Sequence, residues 1–159
     1  MSGKGTPATL LLAQQGVPHT VLTYALDGAA DGSYGEAVAA ALGVEPERML
    51  KTLLAEVDGR LTCAVVPVSG SLDLKALAAA VGGKRAVLAE PAVAERSSGY
   101  VVGGISPLGQ RTRLPTVVDE TAELFDAVVV SAGRRGLSVE LAPSDLVRLT
   151  GAVVADVAR

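Results

Sequence analysis

Lys51 is the residue whose type and setting point most directly to chemistry. It lies in an apolar run, Met49 to Val57, that is typical of a strand. In a strand it would share one face with Leu53 and Ala55. An ammonium group on an apolar face costs free energy unless it meets polar partners or a bound substrate. The pattern fits a substrate-binding lysine, and it also fits the common case of a lysine whose stem packs while its head stays in water.

A glycine-rich loop at 103–109 is the second feature that could contact a ligand. Its two leading glycines allow close backbone approach and unusual dihedral angles, and Pro107 stiffens the turn. Such a loop can aim backbone groups at a ligand, or it can be an ordinary tight connection. Its outer glycines have phosphate-loop spacing, but Gln110-Arg111 replaces the required Lys-Ser/Thr pair, which argues against nucleotide hydrolysis.

The remaining reactive side chains exclude several reaction types. One His and one Cys cannot assemble the usual zinc site, and no carboxylate cluster has metal spacing, so we expect no metal or other cofactor. A Ser/His/Asp hydrolase would need His19 as its base, but a lone His at a strand start is more often a surface or capping residue. Cys63 alternates with apolar neighbours in a strand, which indicates a buried, inert thiol. Ser131 ends another apolar run, where it can donate a hydrogen bond to a ligand or simply begin the turn before Gly133.

Composition limits the class of protein. The chain has 159 residues, 49% of them hydrophobic, which suits one domain with an aliphatic core. No apolar run approaches the roughly 20 residues that cross a bilayer, and the first residues lack a signal-peptide core. With a single cysteine and no membrane segment, we expect a cytoplasmic location. The net charge of −3 argues against a generally basic nucleic-acid-binding surface, although it leaves RNA contact possible.

The pattern of periodicity and turn residues predicts an alternation of short helices and strands. The first helix begins at Thr6-Pro7 and ends at Gly16, and the second begins with the capping-box spacing at Ser33. Asp58-Gly59-Arg60 predicts a hairpin between 49–57 and 61–68. Later helices are predicted near 73–81, 91–96 and 143–150, and other strands near 19–26, 85–89, 100–102, 116–118, 127–131, 137–141 and 152–157. We therefore expect a single α+β domain with a mixed, mainly antiparallel sheet, or a partly closed barrel, with peripheral helices.

Several strings in the sequence together resemble those of one known family. They are Thr6-Pro7-Ala8, Thr23-Tyr24, Leu50-Lys51-Thr52-Leu53, Leu72-Asp73-Leu74-Lys75, Ser98-Gly99-Tyr100, the segment 102–110, Val130-Ser131 and Arg135-Gly136-Leu137. From residue 6 to residue 159 the chain resembles the YbaK/EbsC family of free-standing editing deacylases, which is related to the editing domain of bacterial prolyl-tRNA synthetases. The resemblance implies one editing domain over 6–159 after a short tail of residues 1–5.

The resemblance also implies roles for particular residues. Lys51 would be the functional lysine near the end of the aminoacyl-tRNA, and Tyr24 would hold the terminal adenosine or the amino-acid region. The Gly103 carbonyl and Ser131 would orient the aminoacyl group, and Tyr34 falls where relatives carry a pocket aromatic. The other implied substrate-binding residues are Gly104, Ile105, Ser106 and Pro107. Ser138 departs from the family pattern, since some relatives have an acidic residue there, and the loop from Tyr24 to Tyr34 is slightly longer than usual.

The activity implied by the resemblance is removal of wrongly attached cysteine from Cys-tRNA(Pro), and also from Cys-tRNA(Cys). The substrate thiol would attack its own ester, so that the protein supplies proximity, orientation and charge stabilisation rather than a nucleophile. The implied partners are the acceptor end of tRNA(Pro) and prolyl-tRNA synthetase.

Two alternatives stay open. One is a deacylase of the same fold for alanine or another small amino acid, because an apolar pocket discriminates a methylene or a hydroxyl only weakly. The other is a non-catalytic module that binds tRNA or a synthetase, although the presence of Lys51 and the whole glycine loop speaks against it.

The charge distribution leads to a prediction about transfer RNA identity. Basic residues are scattered along an acidic chain and form no stripe that could follow a transfer RNA. We therefore expect the isolated protein to deacylate Cys-tRNA(Cys) as well as Cys-tRNA(Pro), and added prolyl-tRNA synthetase to shift the preference towards the second. Parallel rate measurements on both substrates, with and without the synthetase, check this. Strongly proline-selective action by the isolated protein would contradict it.

Overall fold

The computed structural model describes residues 5–25 and 34–159, in which short helices surround two β-sheets. The helices are α1 (Pro7–Gln14), α2 (Tyr34–Leu42), α3 (Leu74–Ala80), α4 (Pro91–Ser98) and α5 (Pro143–Thr150), with a 3-10 turn at Glu120–Leu124. The strands are β1 (Thr20–Thr23), β2 (Leu50–Val57), β3 (Arg60–Pro67), β4 (Ala86–Leu88), β5 (Thr116–Asp119), β6 (Val128–Arg134), β7 (Leu137–Leu141) and β8 (Val153–Ala155).

The strand pairing confirms the predicted α+β class. One sheet has the order β4-β2-β3-β5-β8 and the other has the order β1-β7-β6. Four strand pairs are antiparallel, whereas β5 pairs in parallel with both β3 and β8. Of the two expected arrangements, open sheets are observed rather than a barrel, since the described strands of neither sheet close on themselves; the five-stranded sheet is mixed and the three-stranded sheet is antiparallel.

The β2–β3 hairpin places Lys51 as the sequence predicted. Asp58 and Gly59 both have positive φ, at 50° and 84°, as a two-residue hairpin turn with the right twist requires. Leu53 on the Lys51 side of β2 packs in one apolar cluster, and Leu54 on the opposite side packs in another. Lys51 therefore shares a strand face with Leu53, half-buried, at the end of β2 that is far from the turn.

The predicted strand at 100–102 is wrong. The Tyr100 N–H donates to Ser98 Oγ at 3.1 Å, and the Gly104 N–H donates to the Val101 carbonyl at 2.9 Å, so local turns use the backbone groups that a strand would pair. The Tyr100 ring is buried, and its hydroxyl donates to the Leu108 carbonyl at 2.6 Å. This side chain holds the glycine loop in place, whereas Val101 and Val102 are exposed.

Most other element boundaries differ from the predictions by a few residues. The β6–β7 hairpin is present, but β6 continues to Arg134, so the connection is Arg135-Gly136 rather than 133–136. The predicted capping residue Ser33, the loop at 27–32 and the last residue of the strand at 19–26 lie outside the described residues. Of the helices in the described ranges, none is long and apolar enough to cross a membrane.

Asp119 connects β5 to the C-terminal segment through its buried carboxylate. Its side chain is buried, and Oδ1 accepts from the N–H groups of Val157 and Ala158 at 2.9 and 3.0 Å, while Oδ2 accepts from the Thr121 N–H. We expect Asp119→Ala to lower the free energy of unfolding by about 3 kcal/mol, because hydrogen bonds to a charged group are lost and the Val157 N–H stays buried without its acceptor. At about 2–4 °C per kcal/mol, thermal denaturation should show a Tm roughly 6–12 °C lower. The exposed Asp126→Ala is the matched control, and equal Tm values for the two variants would contradict this account.

Candidate active site

A cavity of about 460 Å³ opens where the two sheets meet, a size typical of small-molecule sites. Its wall contains six of the nine residues that the sequence predicted for the site, namely Tyr24, Tyr34, Lys51, Gly103, Ile105 and Ser131. Tyr24 directly follows β1, and the others come from α2, β2, β6 and the glycine loop, so five separate segments meet around one space.

The cavity begins at a single bridge between the sheets. Met49 and Val129 form an isolated parallel bridge, and the Val129 N–H donates to the Arg48 carbonyl at 2.9 Å. Because strand side chains alternate with a period of two, Lys51 and Ser131 each follow the bridge on the same side as its two residues. Beyond the bridge, β2 and β6 belong to different sheets, and the cavity lies in the wedge between these two strands. Lys51 and Ser131 thus line one space although 80 positions separate them.

An arc of side chains forms the rim of the cavity. The hydroxyls of Tyr24 and Tyr34 lie 3.3 Å apart, and the Arg135 guanidinium lies 5.4 Å from the centre of the Tyr34 ring. Arg135 Nε also donates to the Val102 carbonyl at 3.2 Å. Burial, followed by the hydrogen bond with Tyr24, raises the pKa of Tyr34 to about 12. Its phenol therefore stays protonated at neutral pH and can donate a hydrogen bond.

Arg135 is a site residue that sequence reasoning did not assign. It lines the cavity, but in the sequence it is one of several basic residues in a turn. Its distinguishing property is its contact with the glycine loop and with Tyr34, which appears only once both hairpin and loop are folded. Thr52 and Ser138 also line the cavity, and neither was predicted as a site residue.

The glycine loop needs both of its leading glycines. Gly103 has φ of +93°, and a Cβ there would collide with the Arg135 guanidinium. A Cβ on Gly104 would lie 2.6 Å from the Arg134 Cα. A side chain at Gly104 would therefore push the loop away from the backbone of the β6–β7 turn, whereas at Gly103 the positive φ itself disfavours other residues.

Three of the predicted substrate-binding residues do not line the cavity. Gly104 is buried against the β6–β7 turn, and Ser106 is buried with its Oγ accepting from the Leu108 N–H at 3.1 Å. Pro107 faces a second, smaller hollow of about 180 Å³, which Gln110 also lines. The structure therefore places these three where they shape the loop, and it brings only Gly103 and Ile105 of the loop to the cavity.

Neither Cys63, the possible nucleophile, nor His19, the possible base, lies in the cavity wall. Cys63 is buried in the core as predicted, and burial raises the pKa of its thiol to about 12 despite the contact with Gln110 Nε2 at 3.7 Å. His19 holds its Nδ1 2.8 Å from the Val17 carbonyl. Within residues 5–25 and 34–159, no three His, Cys, Asp or Glu side chains are grouped so that they could hold a metal ion.

Comparison with known proteins identifies the family. A family model described as the aminoacyl-tRNA editing domain matches residues 31–149. This chain belongs to that family. The match confirms the family predicted from the sequence strings and the predicted enzyme class, an aminoacyl-tRNA deacylase.

Individual relatives agree with the family. The chain is 37% identical over 155 residues to EbsC of Enterococcus faecalis, named as a candidate Cys-tRNA(Pro)/Cys-tRNA(Cys) deacylase, covering 96% of this chain and 92% of that protein. It is 32% identical to ProXp-y of Escherichia coli K12, named as a multifunctional Ser/Thr-tRNA deacylase, covering 87% of this chain and 83% of that protein. A solved structure described as a candidate trans-editing enzyme for prolyl tRNA synthetase superimposes with a TM-score of 0.81 at 26% identity, over 100% of this chain and 99% of that one.

The position of Cys63 leads to a prediction about the editing-domain reaction. We expect Cys63→Ala to retain most deacylase activity, and thiol-blocking reagents to leave the native protein active, because the thiol is buried, neutral and outside the cavity. Deacylation rates before and after treatment with the reagent measure this, with Tm as the check on folding. Complete loss of activity in a well-folded Cys63→Ala protein would restore a mechanism with a protein nucleophile.

Proposed function

We propose that this protein is a cytoplasmic trans-editing enzyme that removes misattached cysteine from Cys-tRNA(Pro), and also from Cys-tRNA(Cys), with one editing domain over residues 6–159. The observation that carries the proposal is the convergence of Lys51, Ser131, Gly103 and Tyr24 on one cavity whose wall includes neither the cysteine nor the histidine of the chain. An aminoacyl ester is already an activated acyl group, so its hydrolysis does not require a nucleophile from the protein.

The substrate would then supply the attacking group. The cysteine sulfur forms a bond to its own ester carbonyl carbon, the bond from that carbon to the ribose oxygen breaks, and the thiol proton passes to that oxygen. Water opens the resulting cyclic thioester and releases free cysteine. The cavity contributes by holding thiol and ester close together, which can be worth many orders of magnitude in rate.

Each cavity residue has a role in this scheme. The Lys51 ammonium stabilises the negative charge that develops on the carbonyl oxygen during attack. The Gly103 carbonyl accepts a hydrogen bond from the α-ammonium group of the amino acid, and the Ser131 hydroxyl donates to the ester. Both lie on the cavity wall, on segments fixed by the Arg135–Val102 contact and by the Met49–Val129 bridge.

The rim of the cavity suits the terminal adenosine. The Tyr24 and Tyr34 rings provide aromatic surface and hydroxyl groups, and Arg135 provides a positive charge beside them. A guanidinium can pair with a phosphate of the acceptor end. Because this rim is the extent of the recognition that residues 5–25 and 34–159 offer at the site, we propose that prolyl-tRNA synthetase presents the mischarged transfer RNA.

Replacement of Lys51 tests the catalytic proposal. We expect Lys51→Ala to slow deacylation of Cys-tRNA(Pro) by at least about 100-fold, the usual cost of losing a donor to developing charge. The fold should persist, since the ammonium contributes no packing to the core. Single-turnover rates and a melting curve measure the two effects, with the exposed Lys84→Ala as the matched control. Near-normal turnover in the Lys51 variant would remove this residue from the site.

Arg135 and its neighbour Arg134 provide a paired test of the rim. Both are exposed on the β6–β7 hairpin, but only Arg135 lines the cavity. We expect Arg135→Ala to raise KM by about 10-fold, as the loss of one charge-assisted contact implies, and to reduce the salt dependence of KM. Steady-state kinetics at several salt concentrations measure both changes. If Arg134→Ala has an equal effect, general positive charge rather than rim geometry is responsible.

A further inference from the structure

The glycine loop begins with a tight turn over residues 101–104. The Gly104 N–H donates to the Val101 carbonyl at 2.9 Å, and Gly103 has a φ of +93°, while the φ of Val102 is not positive. This combination defines a type II β-turn, whose third position favours glycine. Glycine adopts positive and negative φ about equally well, so Gly103 by itself does not keep the turn in one conformation. Contacts from outside the turn must do so.

Two charged side chains hold Val102, the second residue of this turn. Its N–H donates to Glu95 Oε2 at 2.8 Å, and its carbonyl accepts from Arg135 Nε at 3.2 Å. Glu95 lies in the last turn of α4, where its own backbone carbonyl accepts from the Gly99 N–H at 2.9 Å. Hydrogen bonds to ionised groups are about twice as strong as those between neutral groups. The start of the glycine loop is therefore held both by α4 and by the β6–β7 turn.

A chain of hydrogen bonds leads from Glu95 to the cavity wall. The first peptide group of the turn donates to Glu95 through the Val102 N–H and accepts from Gly104 through the Val101 carbonyl. The Gly104 N–H shares its peptide group with the Gly103 carbonyl, and in a trans peptide these two groups point in opposite directions. Each link therefore fixes the direction of the next. Gly103 lines the cavity and Glu95 does not, so Glu95 orients this carbonyl from outside the cavity.

The negative charge of Glu95 strengthens the same carbonyl. Groups in a hydrogen-bonded chain polarise one another, so a carboxylate at one end makes the carbonyl oxygen at the other end a better acceptor. The group proposed to meet the Gly103 carbonyl is the α-ammonium group of the amino acid, a cation that gains from a more negative acceptor. Val102 is 43% exposed, so water can replace the carboxylate when the side chain is removed, but a mobile water does not fix the direction of the peptide group.

We propose that Glu95 is a positioning residue, which directs the Gly103 carbonyl towards the α-ammonium group and so favours esters that carry this group. This inference rests on the proposed deacylase function and on the role given there to Gly103. Because Glu95 lies outside the cavity wall, its loss should weaken recognition of the ammonium group and leave the rest of the cavity in place.

Two esters that differ only in the α-ammonium group test this proposal. One is Cys-tRNA(Pro), and the other is the same transfer RNA esterified with 3-mercaptopropionate, which retains the thiol and lacks the ammonium group. Single-turnover rates with the protein are divided by the uncatalysed rates, because the ammonium group also changes the reactivity of the ester itself. We expect the wild type to accelerate the cysteine ester at least about 10-fold more than its analogue, and Glu95→Ala to lower that ratio by about 5-fold or more.

Glu95→Gln and Glu123→Ala are the matched controls. Glutamine retains an oxygen acceptor at the same place, so Glu95→Gln should keep the ratio within about 3-fold of the wild-type value. Glu123 is an exposed carboxylate on the 3-10 turn, and its replacement should leave the ratio unchanged. Alanine is the best helix former, so Glu95→Ala should preserve α4, and the Tm of each variant checks this.

The outcomes separate the positioning role from the deacylase function. Equal losses on both esters in a folded Glu95→Ala protein would overturn the positioning role, since they indicate a general change in the cavity. A Glu95→Gln protein that loses the ratio as completely as Glu95→Ala would overturn it too. In both cases, hydrolysis of the cysteine ester by the wild type would still support the deacylase. Inactivity of the wild type on both esters would overturn both proposals.

Discussion

The junction between the two sheets is the constraint on which the rest of the site depends. It consists of the Met49–Val129 bridge, the hydrogen bond from the Val129 N–H to the Arg48 carbonyl, and the Arg48 side chain. The Arg48 guanidinium lies 2.7 Å from the Glu140 carboxylate on β7 and 2.9 Å from that of Glu45. Arg48 thereby connects the start of β2 to the three-stranded sheet in two ways: its backbone carbonyl accepts from Val129, and its side chain pairs with Glu140. Because the sheets are joined here and separate afterwards, a wedge-shaped cavity follows from the topology.

The sequence predicted the local parts of this arrangement well. Asp58-Gly59 and the Thr6-Pro7 cap are signals whose physical cause lies within a few residues, and the hairpin and first helix formed where expected. The position of Lys51 on an apolar strand face was correct for the same reason. What local pattern could not provide was the meeting of Lys51 with Ser131, because one isolated bridge between distant segments determines it. Only the resemblance to the family indicated that Lys51 and Ser131 belong to one site.

The differences between the sequence predictions and the structure arise mainly from contacts between segments that local pattern does not reveal. Residues 100–102 were predicted as a strand from their apolar character, but Val101 and Val102 are exposed, and the buried Tyr100 ring holds the glycine loop through the Leu108 carbonyl. Ser106 and Pro107 were expected in the substrate site, but they turn inward and towards the second hollow. Arg135 went unassigned because its partners, Val102 and the Tyr34 ring, are distant in sequence.

The central claim is that the wedge between the sheets binds the aminoacyl end of the transfer RNA. Titration of isotope-labelled protein with a stable amide analogue of cysteinyl-adenosine, followed by NMR, tests this most directly. The account predicts saturable shifts of backbone amide signals concentrated at Lys51, Gly103 and Ser131. Shifts concentrated instead around the second hollow, at Gln110 and Leu149, would contradict it, as would the absence of saturable binding at concentrations well above the KM for the substrate.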